Sequence, residues 1–254
     1  MTMKNLKHIL LATFAALTAL TAAAQTTLLN DMSFYWRLGY SVGGNAPLPM
    51  PATIRSLNKF ALQPNVSFGV DAHRRIGNRW GLLMGCRFEN KGMHIDADVK
   101  NYHMEIKQGG QKLAGYFRGK VDTQITQWMF TVPLQATCRI KNVTLKLGPY
   151  LSILTAKSFS GYAYDGYLRE GDYTGARVDL GTNDGERGDY DFTDDMRNIQ
   201  WGVDLGADWQ FSNHFGLYAD LAWGISGTFK KDFKTIEQTL RPIYGTVGVF
   251  YRIK

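Results

Sequence analysis

Residues 127–157, QWMFTVPLQATCRIKNVTLKLGPYLSILTAK, decide the fold. Apolar side chains occupy even positions up to Ile140 and odd positions after the Lys141-Asn142 pair. A period of two predicts strands with one apolar and one polar face, joined here by a tight turn. Both strands are longer than the about 5–6 residues usual in soluble proteins. Long alternating strands with short turns are typical of transmembrane barrel walls.

The same alternation recurs in six other segments: 33–42, 65–75, 80–89, 199–211, 215–224 and 243–253. The connections between the resulting eight strands alternate in length, long first, and the short ones lie at 77–78, 141–142 and 212–214. An even strand count with short turns at one end and long loops at the other is typical of bacterial outer-membrane barrels. We therefore expect an all-β, eight-stranded antiparallel up-and-down transmembrane β-barrel with long outer loops. Both termini then lie in the periplasm.

The first 24 residues have the features of a cleaved signal peptide. Lys4 and Lys7 precede a short apolar stretch at 9–20, and Ala22-Ala23-Ala24 fits a signal-peptidase site. The alternative, a helical membrane anchor, needs about 20 apolar residues, and this stretch is shorter. We expect export of the chain and a barrel domain at 25–254.

Composition narrows the class of protein further. No long apolar run follows Gln25, so a membrane location requires a closed barrel. The net charge of +7 falls to +5 when Lys4 and Lys7 leave, and the basic residues are scattered. Nucleic-acid binding is not expected from this distribution. Two cysteines, Cys86 and Cys138, do not make a disulfide scaffold, and we expect both thiols to be free because disulfide geometry is strict.

The apolar faces match what a lipid environment requires. None of the eight carries a charged residue between the strand ends, where Arg or Lys would cost about 2–4 kcal/mol at the bilayer midplane. All six tryptophans lie on these faces, mostly near strand ends, as expected of interfacial aromatics: Trp36, Trp80, Trp128, Trp201, Trp209 and Trp223. The alternative, a soluble lipocalin-like barrel or sandwich, would enclose too much Trp and Phe for its small interior.

The opposite faces carry charges that would point into the barrel lumen. Five are basic and five acidic: Arg37, Arg87, Arg139, Lys146, Arg252, Asp71, Glu89, Asp204, Asp208 and Asp220. The lumen of an eight-stranded barrel holds little more than side chains, and buried charges must pair. The balance favours a neutralised salt-bridge plug over the alternative, a proton or ion path.

The long segments at 90–124 and 159–197 are the places where binding or catalysis would lie. The second is rich in Gly, Asp and Tyr, a composition used by adaptable binding surfaces. Its candidate binding residues are Tyr162, Tyr164, Tyr167, Tyr173 and Tyr190. A solvated loop is the alternative. His94, Asp96 and Asp98 have metal or acid–base chemistry, but nothing separates them from ordinary loop polarity. We expect no enzyme activity, metal or cofactor.

Short motifs in several strands add a family resemblance. Val132-Pro133-Leu134, Leu147-Gly148-Pro149-Tyr150, Trp201-Gly202-Val203 and Leu221-Ala222-Trp223-Gly224 resemble the PorT-like outer-membrane barrels of Bacteroidetes. The last strand also resembles the C-terminal signal bound by the barrel-assembly machinery, with Lys254 in place of the usual terminal aromatic residue. The resemblance implies an outer-membrane barrel, and the founding member is associated with secretion and maturation of surface proteases.

These observations predict an integral outer-membrane β-barrel protein that acts in cell-surface structure or in binding through its outer loops. The expected partners are outer-membrane lipid, the barrel-assembly machinery and an unidentified extracellular or secretion-system protein. Three alternatives stay open: a narrow porin-like channel, an accessory protein in the secretion of surface proteins, and a hydrolase at the outer rim.

Overall fold

The computed structural model describes residues 32–47, 52–61, 63–108, 111–233, 235–236 and 239–253. The expected signal peptide and Lys254 lie outside these residues. The described chain is almost entirely β-structure, with one short 3₁₀ helix at Thr193–Asp195. No helix in this part of the chain is long and apolar enough to cross a membrane. The strands are β1 Met32–Pro47, β2 Ile54–Ala61, β3 Asn65–Ile76, β4 Trp80–Gln108, β5 Gln111–Ile140, β6 Val143–Glu170, β7 Arg177–Leu180, β8 Gly188–Asp191, β9 Ile199–Gln210, β10 Phe215–Gly224 and β11 Leu240–Arg252.

Eight antiparallel strands close into a ring in the order β1-β3-β4-β5-β6-β9-β10-β11, and β11 pairs back onto β1. The eight predicted strands are these eight, which confirms the predicted fold class. Three short connections lie at one end of the ring, which we call the turn end. Lys141 adopts a left-handed conformation in one of them (φ 54°) and Gly77 in another (φ 88°). Glycine has no steric penalty there, so Gly77 suits its turn.

The prediction that 90–124 and 159–197 are loops is wrong over most of their length. β4, β5 and β6 have 29, 30 and 28 residues, whereas about 9–11 residues cross a bilayer. They stay paired beyond the ring, with register shifts at Lys100/Tyr102 and Arg118/Lys120, and β2 pairs with the β4 extension within the first long connection, between β1 and β3. We call this projection the lobe: residues 90–108, 111–127 and 157–170, with β2, β7 and β8. The end of the ring that carries it is the lobe end.

The lobe also closes on itself. β8 pairs with β6 along 188–191 and with β4 at Lys107, so β4, β5, β6 and β8 surround a common interior. That interior is apolar and is completed by side chains from the β10–β11 connection. Its buried members are Met93, Ala97, Val99, Met104, Ile106, Phe117, Val121, Ile125, Phe159, Ala163, Leu168, Leu180, Tyr190, Phe192, Met196, Phe229, Ile236 and Leu240.

The ring has the opposite arrangement. Large apolar side chains on its outer faces are exposed, for example Leu38, Leu147 and Leu205, each between 53 and 56 % exposed. Its lumen contains buried polar and charged side chains such as Gln135 and Lys146. A continuous exposed apolar band of this extent requires a partner phase such as lipid. Two interiors of opposite chemistry are therefore stacked along the same three long strands.

Candidate functional site

The ring lumen holds a network of three cations and four carboxylates. Arg87 makes three of its ion pairs: Nη1 lies 3.1 Å from Asp220 and 3.3 Å from Asp204, and Nη2 lies 3.3 Å from Asp71. The Arg87 side chain is buried, as are its three partners. The planar guanidinium group donates in several directions at once, which suits a site with several carboxylates.

Arg37 and Lys146 complete the network. Arg37 pairs with Asp71 and Asp208, and Lys146 Nζ lies 2.7 Å from both Asp208 and Asp220. None of the seven side chains is more than 14 % exposed. They come from β1, β3, β4, β6, β9 and β10, six of the eight ring strands. The ion pairs therefore cross the bore and connect opposite walls, which is the geometry of a salt-bridge plug.

A second lumen cluster lies beside the lobe and contains a residue that sequence reasoning missed. Lys91 Nζ lies 3.0 Å from Glu89, which also accepts a hydrogen bond of 2.8 Å from Thr131. The rings of Tyr150 and Tyr244 each lie 5.7 Å from the Lys91 ammonium. The 90–124 segment is predicted to be a loop, yet Lys91 is two residues from Glu89 and four from Arg87, which places it on their face of the strand. That parity was the signal that could have identified it.

Two predicted members of the lumen charge network do not belong to it. Arg139 is exposed at the turn end, where its Nε donates to the Lys141 carbonyl at 3.1 Å. Arg252 donates to Ser33 Oγ at 3.3 Å, also at that end. Both lie at strand termini, where a side chain reaches water rather than the bore. With Lys91 included, four cations face five carboxylates, and the predicted five-to-five balance is wrong.

The six tryptophans form two groups on the outer wall. Trp36, Trp80 and Trp209 lie toward the turn end, because their cross-strand partners include Tyr251, Cys138 and Val143 respectively. Trp128, Trp201 and Trp223 lie toward the lobe end, opposite Ala156, Leu151 and Ile243. Five of them are at least 44 % exposed, and Trp128 stacks on Phe88. Two aromatic levels on the outer wall are the arrangement expected at the two surfaces of a bilayer.

The five candidate tyrosines are not one site. Tyr190 is a core residue, 7 % exposed, whose hydroxyl bonds to Thr123 at 2.7 Å, so its assignment to a binding surface is wrong. Tyr162 and Tyr164 lie side by side on the outside of the lobe, with ring centroids 5.4 Å apart. Tyr167 packs on the Arg177 guanidinium. Tyr173 is exposed in the connection between β6 and β7.

Acidic side chains border the Tyr162–Tyr164 pair. Antiparallel pairing aligns Asp96, Asp122 and Tyr162 across β4, β5 and β6, and Tyr164 donates to Asp96. His94 Nε2 lies 2.8 Å from Asp122. We call this surface the tyrosine–aspartate face. Among the described residues, no group of three or more His, Cys, Asp or Glu side chains is arranged to hold a metal ion.

Burial raises the pKa of Tyr162 in the lobe, and the pKa values of Tyr164 and Tyr190 are raised further. Burial, followed by the hydrogen bond to Asp96, raises the pKa of Tyr164 well above its usual range. Burial likewise raises the pKa of Tyr190. Both phenols are therefore neutral hydrogen-bond donors under physiological conditions. Neither has the lowered pKa of an activated nucleophile or base.

Cys86 and Cys138 are both free thiols in the described chain, which confirms the prediction. Cys86 is exposed on the outer wall, and Cys138 is partly exposed.

Comparisons with known proteins give a family match. The family model described as "Outer membrane protein beta-barrel domain" matches residues 23–230. No curated protein sequence matches the chain. Similar solved structures include the attachment invasion locus protein Ail of Yersinia pestis (11 % identity, 87 % of this chain and 97 % of that one, TM-score 0.36). Neisserial surface protein A (12 %, 87 % and 96 %, 0.40) and CarO2 of Acinetobacter baumannii (10 %, 87 % and 99 %, 0.41) are also similar. At these identities and scores, the likeness adds nothing to the family match.

Proposed function

Because the chain belongs to the outer membrane protein β-barrel domain family, we propose that it is a closed barrel that holds its lobe outside the cell as a binding platform. It is a non-enzymatic outer-membrane β-barrel protein. The proposal places both termini in the periplasm and the lobe outside. Its support is the position of every short turn at the end opposite the lobe, as in bacterial outer-membrane barrels.

The observation that carries the platform role is the lobe's own apolar core. Phe117, Ile125 and Leu168 are fully or almost fully buried there. The lobe strands are also continuous with the ring wall, so the lobe is attached through paired backbone and not through a hinge. A folded, firmly attached projection presents side chains in fixed positions, which lowers the entropy cost of binding.

The tyrosine–aspartate face is the surface that we assign to partner binding. Tyr162 and Tyr164 offer rigid amphipathic rings, and Asp96 and Asp122 supply negative charge beside them. Such a face fits an extracellular protein with a basic contact surface. The resemblance to PorT-like barrels further leads us to propose that this partner belongs to the machinery that exports surface proteins.

Orientation is tested by labelling intact cells with a membrane-impermeant maleimide. Ala176→Cys lies directly before β7 of the lobe and Asn213→Cys lies at the turn end, and both positions are exposed. Each is made in a Cys86→Ser/Cys138→Ser background, so that no native thiol reacts. We expect labelling at 176 on intact cells and labelling at 213 only after the cells are broken. The reverse pattern would contradict the proposed orientation.

The narrow channel is the second candidate, and the lumen network opposes it. Arg87 and Lys146 together contact carboxylates on three other strands, so an ion would have to break several buried pairs to pass. Purified protein in planar bilayers should show no steady single-channel conductance while its gel mobility shifts on boiling. Steady conductance from the heat-modifiable species would favour the channel over the plug.

Partner binding is tested by photocrosslinking on living cells. A photoreactive residue in place of Tyr162 should capture a discrete surface protein. The same residue at the exposed Leu57 position of β2 serves as the matched control. Equal capture at both positions, or capture at neither, would count against the tyrosine–aspartate face.

A further inference from the structure

A cavity lies on the outside of the molecule where the ring meets the lobe. It has a volume of about 720 Å³ and is formed by the β10–β11 connection against the start of β9 and of β11. This cavity is separate from the charged lumen and from the tyrosine–aspartate face. It is large enough for the headgroup of a small amphiphile.

Four cations line the cavity: Arg197, Lys230, Lys231 and Arg241. Among the residues of this connection that the structure describes, no acidic side chain lines the cavity. Arg197 and Arg241 have the same parity as Ile199 and Ile243, the outward residues that follow them in β9 and β11. Arg241, which lies in β11, therefore continues the outer wall just past the end of its apolar band, and Arg197, which lies before the first residue of β9, lines the same cavity.

The cations have only part of their hydrogen-bonding capacity satisfied. Arg197 Nε is buried and has no hydrogen-bond partner in the described chain. Arg241 Nη1 donates to the Ile225 carbonyl at 2.9 Å, and Lys230 Nζ donates to the Asp194 carbonyl at 2.6 Å. These acceptors are neutral backbone oxygens, so they leave the positive charge of both groups uncompensated. A buried, unpartnered guanidinium nitrogen is costly unless a ligand supplies an acceptor.

One part of the cavity wall is apolar, and Ser226 and Thr239 are its only other polar residues among those described. Phe229 and Phe233 stack with ring centroids 4.4 Å apart, and Ile236 and Leu240 lie beside them. Cations next to aromatic and aliphatic side chains match a molecule with an anionic head and an apolar body. A free inorganic anion would leave the apolar part without a partner.

The cavity lies at the level of a membrane surface. The backbone N–H groups of Ile225 and Ser226 donate to the Trp201 carbonyl at 3.0 and 3.1 Å. Trp201 and Trp223 belong to the aromatic level at the lobe end, where an amphipathic ring marks the boundary between hydrocarbon and headgroups. An anion in the cavity would therefore be level with lipid phosphates.

We propose that this cavity binds the phosphate-bearing headgroup of a membrane lipid. Arg197 and Arg241 hold the phosphate, Lys230 and Lys231 add charge, and the partly exposed Phe233 contacts the start of the acyl region. Arg is suited to this role because its planar fork donates two parallel hydrogen bonds to phosphate oxygens. The inference goes beyond the proposed function and holds whichever way the lobe faces.

The test uses the purified full chain in an uncharged detergent and native mass spectrometry. The probes are dioleoyl phosphatidic acid, dioleoyl phosphatidylcholine and inorganic phosphate. We expect the phosphatidic acid to bind at least about tenfold more tightly than the phosphatidylcholine. Arg197→Gln/Arg241→Gln should remove that preference. The matched control, Arg139→Gln/Lys141→Gln, removes two exposed cations at the turn end and should keep it.

Several outcomes would overturn the proposal: equal binding of the two lipids, an unchanged preference in the double variant, or an equal loss in the control. Displacement of the phosphatidic acid by equimolar inorganic phosphate would assign the cavity to a soluble anion instead. If the double variant loses its heat-dependent gel shift, Lys231→Gln replaces it, because Lys231 is exposed. That variant should weaken phosphatidic acid binding by about threefold, and no change in it would also contradict the proposal.

Discussion

The ring and the lobe share three strands, yet each is built inside out relative to the other. Along the inward face of β4, Arg87, Glu89 and Lys91 are followed by Met93 and Ala97, and all five are buried. Hydrocarbon outside the ring demands an apolar wall and leaves polar groups for the lumen. Water outside the lobe demands the reverse. The surrounding phase, not the strand, decides which face is apolar.

Bulges near the junction of ring and lobe change which residues of a strand point inward. In β5 the inward face keeps odd numbers from Thr137 through Thr131 and Ile125 to Phe117. In β6 one extra residue, Thr155, changes the inward parity, so that Ser152 and Phe159 both point inward. A bulge inserts one residue into one strand and so changes the face that later residues occupy.

The largest expected effect is in the ring. Arg87→Ala leaves Asp71, Asp204 and Asp220 short of a counter-charge inside the lumen. Breaking a buried pair costs about 3–5 kcal/mol of unfolding free energy, because a buried charge is left uncompensated. Urea unfolding of protein reconstituted in vesicles, followed by tryptophan fluorescence, measures the loss. Arg177→Ala removes an exposed pair with Asp179 and a contact with the Tyr167 ring, and should cost no more than about 1 kcal/mol. Equal results for the two variants would remove the distinction between ring and lobe charges.

The second effect separates the two interiors. Leu168 is fully buried in the lobe core, and Leu→Ala in a core costs about 2–5 kcal/mol. Leu168→Ala should make the lobe sensitive to brief proteolysis while the ring keeps its heat-dependent gel shift. Leu57→Ala, at an exposed lobe position, serves as the control. If the Leu168→Ala variant loses both the gel shift of the ring and the protease resistance of the lobe, the ring and the lobe unfold as one unit.

A smaller effect concerns the β4 bulge. Asn101 has φ 56° between residues whose register shifts against β5. Asn tolerates this left-handed conformation, whereas a β-branched residue does not. Asn101→Val should cost about 1–2 kcal/mol of lobe stability, and Asn101→Gly should cost none. Hydrogen exchange of the lobe amides reports the change, and equal protection in the two variants would argue against strain at this position.

The smallest expected effect is the loss of an exposed ion pair, which is compared here with a buried ion pair of the same length. Lys120 Nζ lies 2.7 Å from Asp165 on the lobe surface, and Lys146 Nζ lies 2.7 Å from Asp220 in the lumen. Lys120→Ala should leave lobe protection unchanged, since water and salt screen an exposed pair. Lys146→Ala should lower ring stability clearly. If both variants lose the same stability, the distance between the paired groups, and not their burial, determines how much an ion pair contributes to stability.

The ring strands can be predicted from the sequence because the whole outer wall of the ring faces the same environment, lipid. Apolar side chains recur at every second residue of β5 from Trp128 to Ile140, and the one bulge opposite this stretch lies in β6, at Thr155. The lobe was missed because the apolar set changes sides in the middle of a strand. Val121 and Ile125 are odd-numbered, whereas Phe130 and Leu134 are even-numbered. A strand prediction that requires one continuous apolar face therefore ends each strand at the boundary between the lipid-facing ring and the water-facing lobe.

The amino-acid sequence alone predicts the closed ring, its strand number, its lipid-facing wall and most of the lumen charges, because each follows from a local period of two. The tertiary structure alone decided how far the strands extend, since their pairing partners lie on other strands. It also decided that Arg139 and Arg252 reach water, that Lys91 enters the lumen, and that Tyr190 is buried. These outcomes depend on strand ends, bulges and neighbours across the barrel, which a single strand's pattern does not contain.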